Sequence, residues 1–269
     1  VDKAALDAVI DPARVRLFIP NGLRGFKQEL FERIGAKVGG VIRGSFNELA
    51  ALPEAYLPVV GCTSDLRPII DKWLERNREF AYWDRGYARR VFATWLPRGE
   101  NGGYYRWHRN AFQMRTLRNV PGDRWEQLKI DVKPWRKGGR HIVIAAPTRT
   151  YGRFHGTRDW IADTIHALSL ATDRQLVIRD KESKRSLESD IDGAHALVTH
   201  GSIAAVESVV LGCPVFVHPY SAAALVGRTD LSQIEKPIYP DREPWLHSLA
   251  YCQFNEAELV DGTLWRLIA

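Results

Sequence analysis

Apolar residues along the chain fall into two kinds of run. Short continuous runs predict strands buried on both faces: Val15 to Ile19, Leu57 to Val60, Phe80 to Trp83, His141 to Ala146, Gln175 to Ile178, Ala196 to Thr199 and Val215 to Val217. Between them, apolar residues recur at helical spacing. Phe26, Leu30, Phe31 and Ile34 do so in Gly25 to Ile34, and Leu66 to Trp73 reads as a second helix. Trp160, Ile161, Thr164, Ile165 and Leu168 share one face of Thr157 to Leu170, and Ser202 to Leu211 stops at Gly212. Strands alternating with helices predict an α/β fold with parallel sheets, whose ligands gather at the carboxyl ends of the strands. The rhythm breaks from Leu96 to about Arg140, which reads as irregular, and Pro134 to Gly139 reads as an interdomain linker. Pro244 to Cys252 and Glu256 to Leu267 read as terminal helices. The expected division is therefore 1–135, 136–245 and 246–269.

Composition narrows the classes. The 269 residues are 45% hydrophobic and 26% charged, ordinary for a folded protein of one large or two small domains. No stretch approaches the roughly 20 apolar residues of a membrane span. Val1 to Arg16 carries Asp2, Asp7 and Asp11 and lacks a signal-peptide core, so a cytoplasmic location with no membrane partner is expected. Cys62, Cys213 and Cys252 are too scattered for a disulfide framework or a zinc site and read as small buried residues. A net charge of +6 favours an anionic partner, whether nucleotide, nucleic acid or acidic glycan. Arg76, Arg78, Arg85, Arg89, Arg90, Arg98, Arg106, Arg109, Arg115 and Arg118 interleave with Tyr82, Trp83, Tyr87, Trp95, Tyr104, Tyr105 and Trp107. Arginine among aromatics suits a groove for nucleic acid or sugar rings.

The sharpest chemical signal is Thr199-His200-Gly201-Ser202, where a buried strand turns into a helix. Gly201 lets backbone approach a ligand, Ser202 suits an N-cap, and the helix start favours phosphate. Glu207, about one and a half turns on, can accept hydrogen bonds from a ribose diol. Arg179-Asp180-Lys181 ends one neighbouring strand, where two cations can neutralise a diphosphate, and Pro147-Thr148-Arg149 ends another. Asp190-Ile191-Asp192 matches a metal-binding pattern in letters but falls in a helical segment, so no metal is expected.

These residues carry a resemblance. Arg179-Asp180-Lys181, Leu197-Val198-Thr199 with Ser202 and Glu207, and Gly212-Cys213-Pro214-Val215-Phe216-Val217 resemble the nucleotide-binding domain of GT-B glycosyltransferases. The tail Trp245 to Phe254 and Asp261-Gly262-Thr263-Leu264-Trp265 are similar to capsule-polysaccharide and phage-encoded members. The resemblance covers roughly 141 to 268, with 82 to 112 in part, and Asp180 departs from the usual Arg-Pro-Lys. It implies two facing Rossmann-like domains, C-terminal helices packing back on the N-terminal domain, and a nucleotide-sugar donor with no bound metal or cofactor. UDP-glucose is the favoured donor. Residues 1–135 would then bind the acceptor and 136–245 the donor.

A catalytic base is expected in the N-terminal half. Asp84 follows a strand in Phe80 to Tyr87, and His108, in Tyr104 to Asn110, is the alternative. Gly22, Arg85, Arg89, Arg106 and Trp107 are expected to meet the acceptor. The leading acceptor is hydroxymethylcytosine in phage DNA, because phosphates need cations and an extruded base needs aromatic neighbours. The host cytoplasm would then be the site of action. A capsule or surface polysaccharide is the second acceptor. A sugar-nucleotide epimerase and a non-catalytic DNA-binding protein are the other classes, and oligomeric state is open.

Overall fold

The computed structural model describes residues 10–22, 26–89, 103–180 and 185–268. Its strands are β1 Val15–Pro20, β2 Val41–Gly44, β3 Leu57–Val60, β4 Ala81–Arg85, β5 Tyr104–Arg109, β6 His141–Ala145, β7 Gln175–Arg179, β8 Ala194–Thr199, β9 Val215–Val217 and β10 Gln253–Asn255. The chain forms two compact units. One runs to Phe112 and includes Tyr251–Ala269; the other is Gln113–Ala250.

The first unit holds a six-stranded sheet of order β10-β5-β4-β3-β1-β2. β1 to β4 are mutually parallel, and β5 and β10 add an antiparallel edge. Alternate residues feed one core: Val15, Leu17 and Ile19; Leu57 and Val59; Ala81 and Trp83; Tyr105 and Trp107; Phe254. The helix Phe26–Gly35 adds Leu30, Phe31 and Ile34, as its spacing predicts. Trp83 packs on Phe31 at 4.6 Å, and Trp107 meets Trp265 edge-on at 5.6 Å. Burying each such side chain contributes roughly 1.5–3 kcal/mol.

The second unit holds a parallel sheet of order β7-β6-β8-β9. β8 is buried along its whole length, as are all three residues of β9. Ile142, Ile144, Ala196, Val198 and Phe216 form its core with Leu168 and Ile234. In both units the first strand sits between the second and the third, the doubly wound order whose switch point lies between the first and third strands.

Several expected elements differ. β5 lies inside the stretch read as irregular, and β2 carries too few residues for a period to show. The helix expected from Thr157 begins at Trp160. A separate helix, Arg149–His155, precedes it, capped by Thr148 and ended by left-handed Gly156. The expected last helix is two, Glu256–Val260 and Thr263–Leu267, broken at Gly262 with φ +87°. The Pro134–Gly139 stretch is packed into the second unit. Lys133 N–H donates to Val210 O, Arg136 N–H to Gly212 O, and Trp135 Nε1–H to Pro240 O. The division between units accordingly follows Phe112. No helix among the described residues is long and apolar enough to cross a membrane.

Candidate functional site

In the second unit the ends of β7, β6 and β8 lie side by side. Thr199, the last residue of β8, donates its hydroxyl to Ala145 O at 2.8 Å, tying it to the end of β6. The next residue, His200, is 6% exposed, and its Nδ1 lies 2.9 Å from the hydroxyl of Tyr151 on the helix that follows β6. Its ring stacks on His218, just beyond β9, at 4.3 Å with planes 18° apart. Burial first, then neighbouring His218, pushes His200 down to about 4; burial and then Arg115 lower His218. Both imidazoles are therefore neutral at pH 7. Gly201 leaves room for the Tyr151 side chain: a Cβ there would force Tyr151 Oη to shift. Ser202 is not the N-cap. Its hydroxyl accepts the Ala204 N–H at 3.2 Å, and the helix Ala204–Val210 is capped by Ile203 without a side-chain bond. Glu207, in that helix, is buried at 4% exposure.

The cations expected here divide. Arg149 is exposed at the start of its helix. Arg179 is not held out for a diphosphate: its Nη1 pairs with the fully buried carboxylate of Asp190 and donates to Arg185 O at 3.0 Å. Asp190 is thus accounted for by Arg179, with Arg185 Nε 2.8 Å from its Oδ1. Lys181, like Arg90, Trp95 and Arg98, lies outside the described residues.

In the first unit, the β4–β5 register sets Asp84 opposite Arg106 and Tyr82 opposite His108. These four side chains share the face opposite the tryptophan core. Asp84 Oδ2 accepts from Arg106 Nη2 at 2.8 Å, and Asp84 Oδ1 accepts the Arg85 N–H at 2.7 Å. Arg106 is 5% exposed; burial disfavours its charge, and the Asp84 carboxylate together with Tyr87, Tyr82 and Cys62 more than offsets this. Burial, then Asp84, holds the Tyr82 phenol protonated well above its usual range. His108 is 3% exposed with Nε2 2.8 Å from the Tyr87 hydroxyl, so it braces this cluster from inside. Trp107 is 1% exposed within the hydrophobic core, which corrects its expected contact with an acceptor. Arg85 is exposed, Arg89 is half-buried with φ +47°, and Gly22 is an exposed turn with φ +86°. Cys213 and Cys252 are buried as expected; Cys62 is only partly so.

Sequence patterns missed Gln113. It is 4% exposed; its Nε2 donates to Gly201 O at 2.7 Å and its Oε1 accepts the Ala222 N–H at 2.9 Å. One side chain thereby clamps the turn after β8 to the turn after β9. Tyr151, His218 and Tyr220 were missed too, since aromatic residues in turns carry no period.

No protein-family model matches the chain. No curated protein matches it. Among solved structures, a KpsC β-Kdo 2,7 transferase from Thermosulfurimonas dismutans superposes with TM-score 0.56 and 12% identity, over 93% of this chain and 99% of that chain. A KpsC β-Kdo 2,4 transferase from the same organism gives 0.49 at 12% identity, over 94% and 98%. An aspartate transcarbamoylase from Trypanosoma cruzi gives 0.28 at 11% identity, over 97% and 85%; scores below 0.5 establish nothing about this chain. The likeness to the first transferase shows the fold: a mixed α/β chain with parallel, Rossmann-like sheets, of the kind that glycosyltransferase has.

Proposed function

We propose that this chain is a glycosyltransferase that holds a nucleotide-sugar at the carboxyl ends of β6 and β8 and transfers its sugar to a saccharide hydroxyl. The observation that carries the reading is the turn His200-Gly201-Ser202 at the switch point of an all-parallel sheet, enclosed by Tyr151 and His218. Doubly wound sheets bind nucleotides at that position. The fold shared with a β-Kdo transferase supports a sugar as the transferred group and a capsule or surface glycan as acceptor. Glu207 is the proposed ribose partner, and Arg149 the proposed phosphate cation. Asp84 is the proposed catalytic carboxylate, held in place by Arg106. The transfer is proposed to need no metal.

A hydroxymethylcytosine acceptor loses its structural motive. The described aromatics of the arginine-rich stretch, Tyr82, Trp83, Tyr87, Tyr104, Tyr105 and Trp107, are all buried. None of these described side chains is free to replace the neighbours of an extruded base. Arg109 is spent on Glu79 and Arg106 on Asp84.

The test is transfer. The protein is incubated with a panel of nucleotide-sugars, including UDP-glucose and activated Kdo, and with either oligosaccharides or hydroxymethylcytosine DNA; products are weighed by mass spectrometry. A glycosylated oligosaccharide is expected, unchanged by a chelator. Glycosylated nucleosides would restore the DNA acceptor. No binding of any nucleotide-sugar by calorimetry would end the transferase reading.

A further inference from the structure

We propose that His200 and His218 form a paired-imidazole hook for an oxyanion, each ring offering a neutral Nε2–H to a phosphate or carboxylate group of the donor. This deepens the reading of the β6–β8 turn as the nucleotide-sugar site and rests on it.

Tautomers follow from partners. His218 Nδ1 accepts the backbone N–H of Tyr220 at 3.2 Å. An amide nitrogen can only donate, so Nδ1 carries the lone pair and the proton of the neutral ring sits on Nε2. His200 Nδ1 lies 2.9 Å from Tyr151 Oη. A phenol donating to it places the His200 proton on Nε2 as well. His200 is more than nine-tenths buried, yet its Nε2 reaches solvent and has no hydrogen-bond partner among the described residues.

The surroundings favour an anion over a cation. The His218 Nδ1 lone pair is occupied, and with Tyr151 donating to His200 Nδ1 the pair presents two donors and no acceptor. Burial keeps the rings uncharged, which lets them stack at 4.3 Å without repulsion. Positive charge comes from Arg115, which acts electrostatically on His218 and lies 5.3 Å over the Tyr220 ring. Tyr151, His155 and Trp160 surround His200, with ring centroids 5.7, 5.8 and 6.3 Å from its own, and leave its edge open to an anion from solvent.

The experiment is long-range proton–nitrogen NMR on the full chain with labelled histidine, signals being assigned with His200→Phe and His218→Ala. Both rings are expected as Nε2–H tautomers at neutral pH. Pyrophosphate or UDP should shift both Nε2 signals together and saturably if the ligand group is a phosphate; glucuronate should do so if it is a carboxylate. His200→Phe, which keeps an aromatic ring on His218, should weaken the effective anion roughly ten- to a hundred-fold. A Nδ1–H tautomer at His200 overturns the hook. So does UDP-glucose binding by calorimetry with both Nε2 signals unmoved, a result that leaves the donor site standing elsewhere on the turn. Pyrophosphate shifts without any nucleotide-sugar binding would keep the hook and overturn the transferase reading.

Discussion

Asp84 has two tasks that a substitution can separate. Its carboxylate neutralises the buried Arg106, and a third of its side chain, 34%, still meets solvent. Asp84→Asn keeps one of the two oxygen acceptors used by Arg106 and the Arg85 N–H, puts an amide donor in place of the other, and removes the charge. Turnover should fall about 10²–10⁴-fold, the usual contribution of a general base, with donor affinity unchanged. Stability should fall by about 1–3 kcal/mol, less than for a fully buried pair. Steady-state kinetics beside a denaturant titration read both; wild-type turnover would remove Asp84 from the chemistry. His200 makes a second residue-scale prediction, on pH. Its imidazole titrates near 6.5 when unfolded and at about 4 when folded. Between those values the unfolded chain binds a proton that the folded chain does not, so acidification through that window costs stability. His200→Gln should flatten this loss. Urea midpoints for both proteins, at about pH 7.5 and about pH 4.5, check it, and parallel curves would show that His200 is not the group responsible.

Elements explain why the arginine-rich stretch misleads. In β4 and β5, alternation sends Trp83, Tyr105 and Trp107 into the core and Tyr82, Asp84, Arg106 and His108 to the other face. Interleaved arginine and aromatic residues are thus strand alternation, and the groove they suggest is two faces of one hairpin. The turns after β8 and β9 are joined by one backbone bond, His218 N–H to His200 O at 2.9 Å, and by the side chain of Gln113. Gln113→Leu would leave the Gly201 carbonyl and the Ala222 N–H without that partner, at about 1–3 kcal/mol for each buried group. The expected result is a lower denaturant midpoint and weaker donor binding. Gln113→Glu should fall between Leu and wild type, because a carboxylate can still accept from Ala222. Equal midpoints for all three would mean that the turns hold without the clamp.

At the scale of the whole molecule, the first unit is made from two distant stretches of chain. β10 pairs with β5, placing Phe254 opposite Tyr105, and Leu259, Leu264, Trp265 and Ile268 enter the same core. A chain truncated after Ala250 should lose the cooperative unfolding of the first unit and expose Trp83 and Trp107; tryptophan fluorescence and limited proteolysis would show it, and native-like protection of β1 to β5 would refute it. What the sequence determined alone was what local spacing can encode. Apolar runs marked β1, β3, β4 and β6 to β9, helical periods marked the helices at Phe26 and Trp160, and the glycine after His200 marked the turn at the end of β8. The parallel doubly wound class followed, because alternating buried strands and helices can pack in few other ways. Tertiary structure decided the rest, since those choices depend on partners far away in sequence. Gln253–Asn255 is too short to show a strand period and is a strand only because β5 offers an edge. Arg179 pairs with a carboxylate eleven residues on instead of facing the proposed donor site, and Arg106 was claimed by Asp84 across a hairpin. Gln113 gained its role from two turns about 90 and 110 residues away, which converge on it only once β6, β8 and β9 lie side by side.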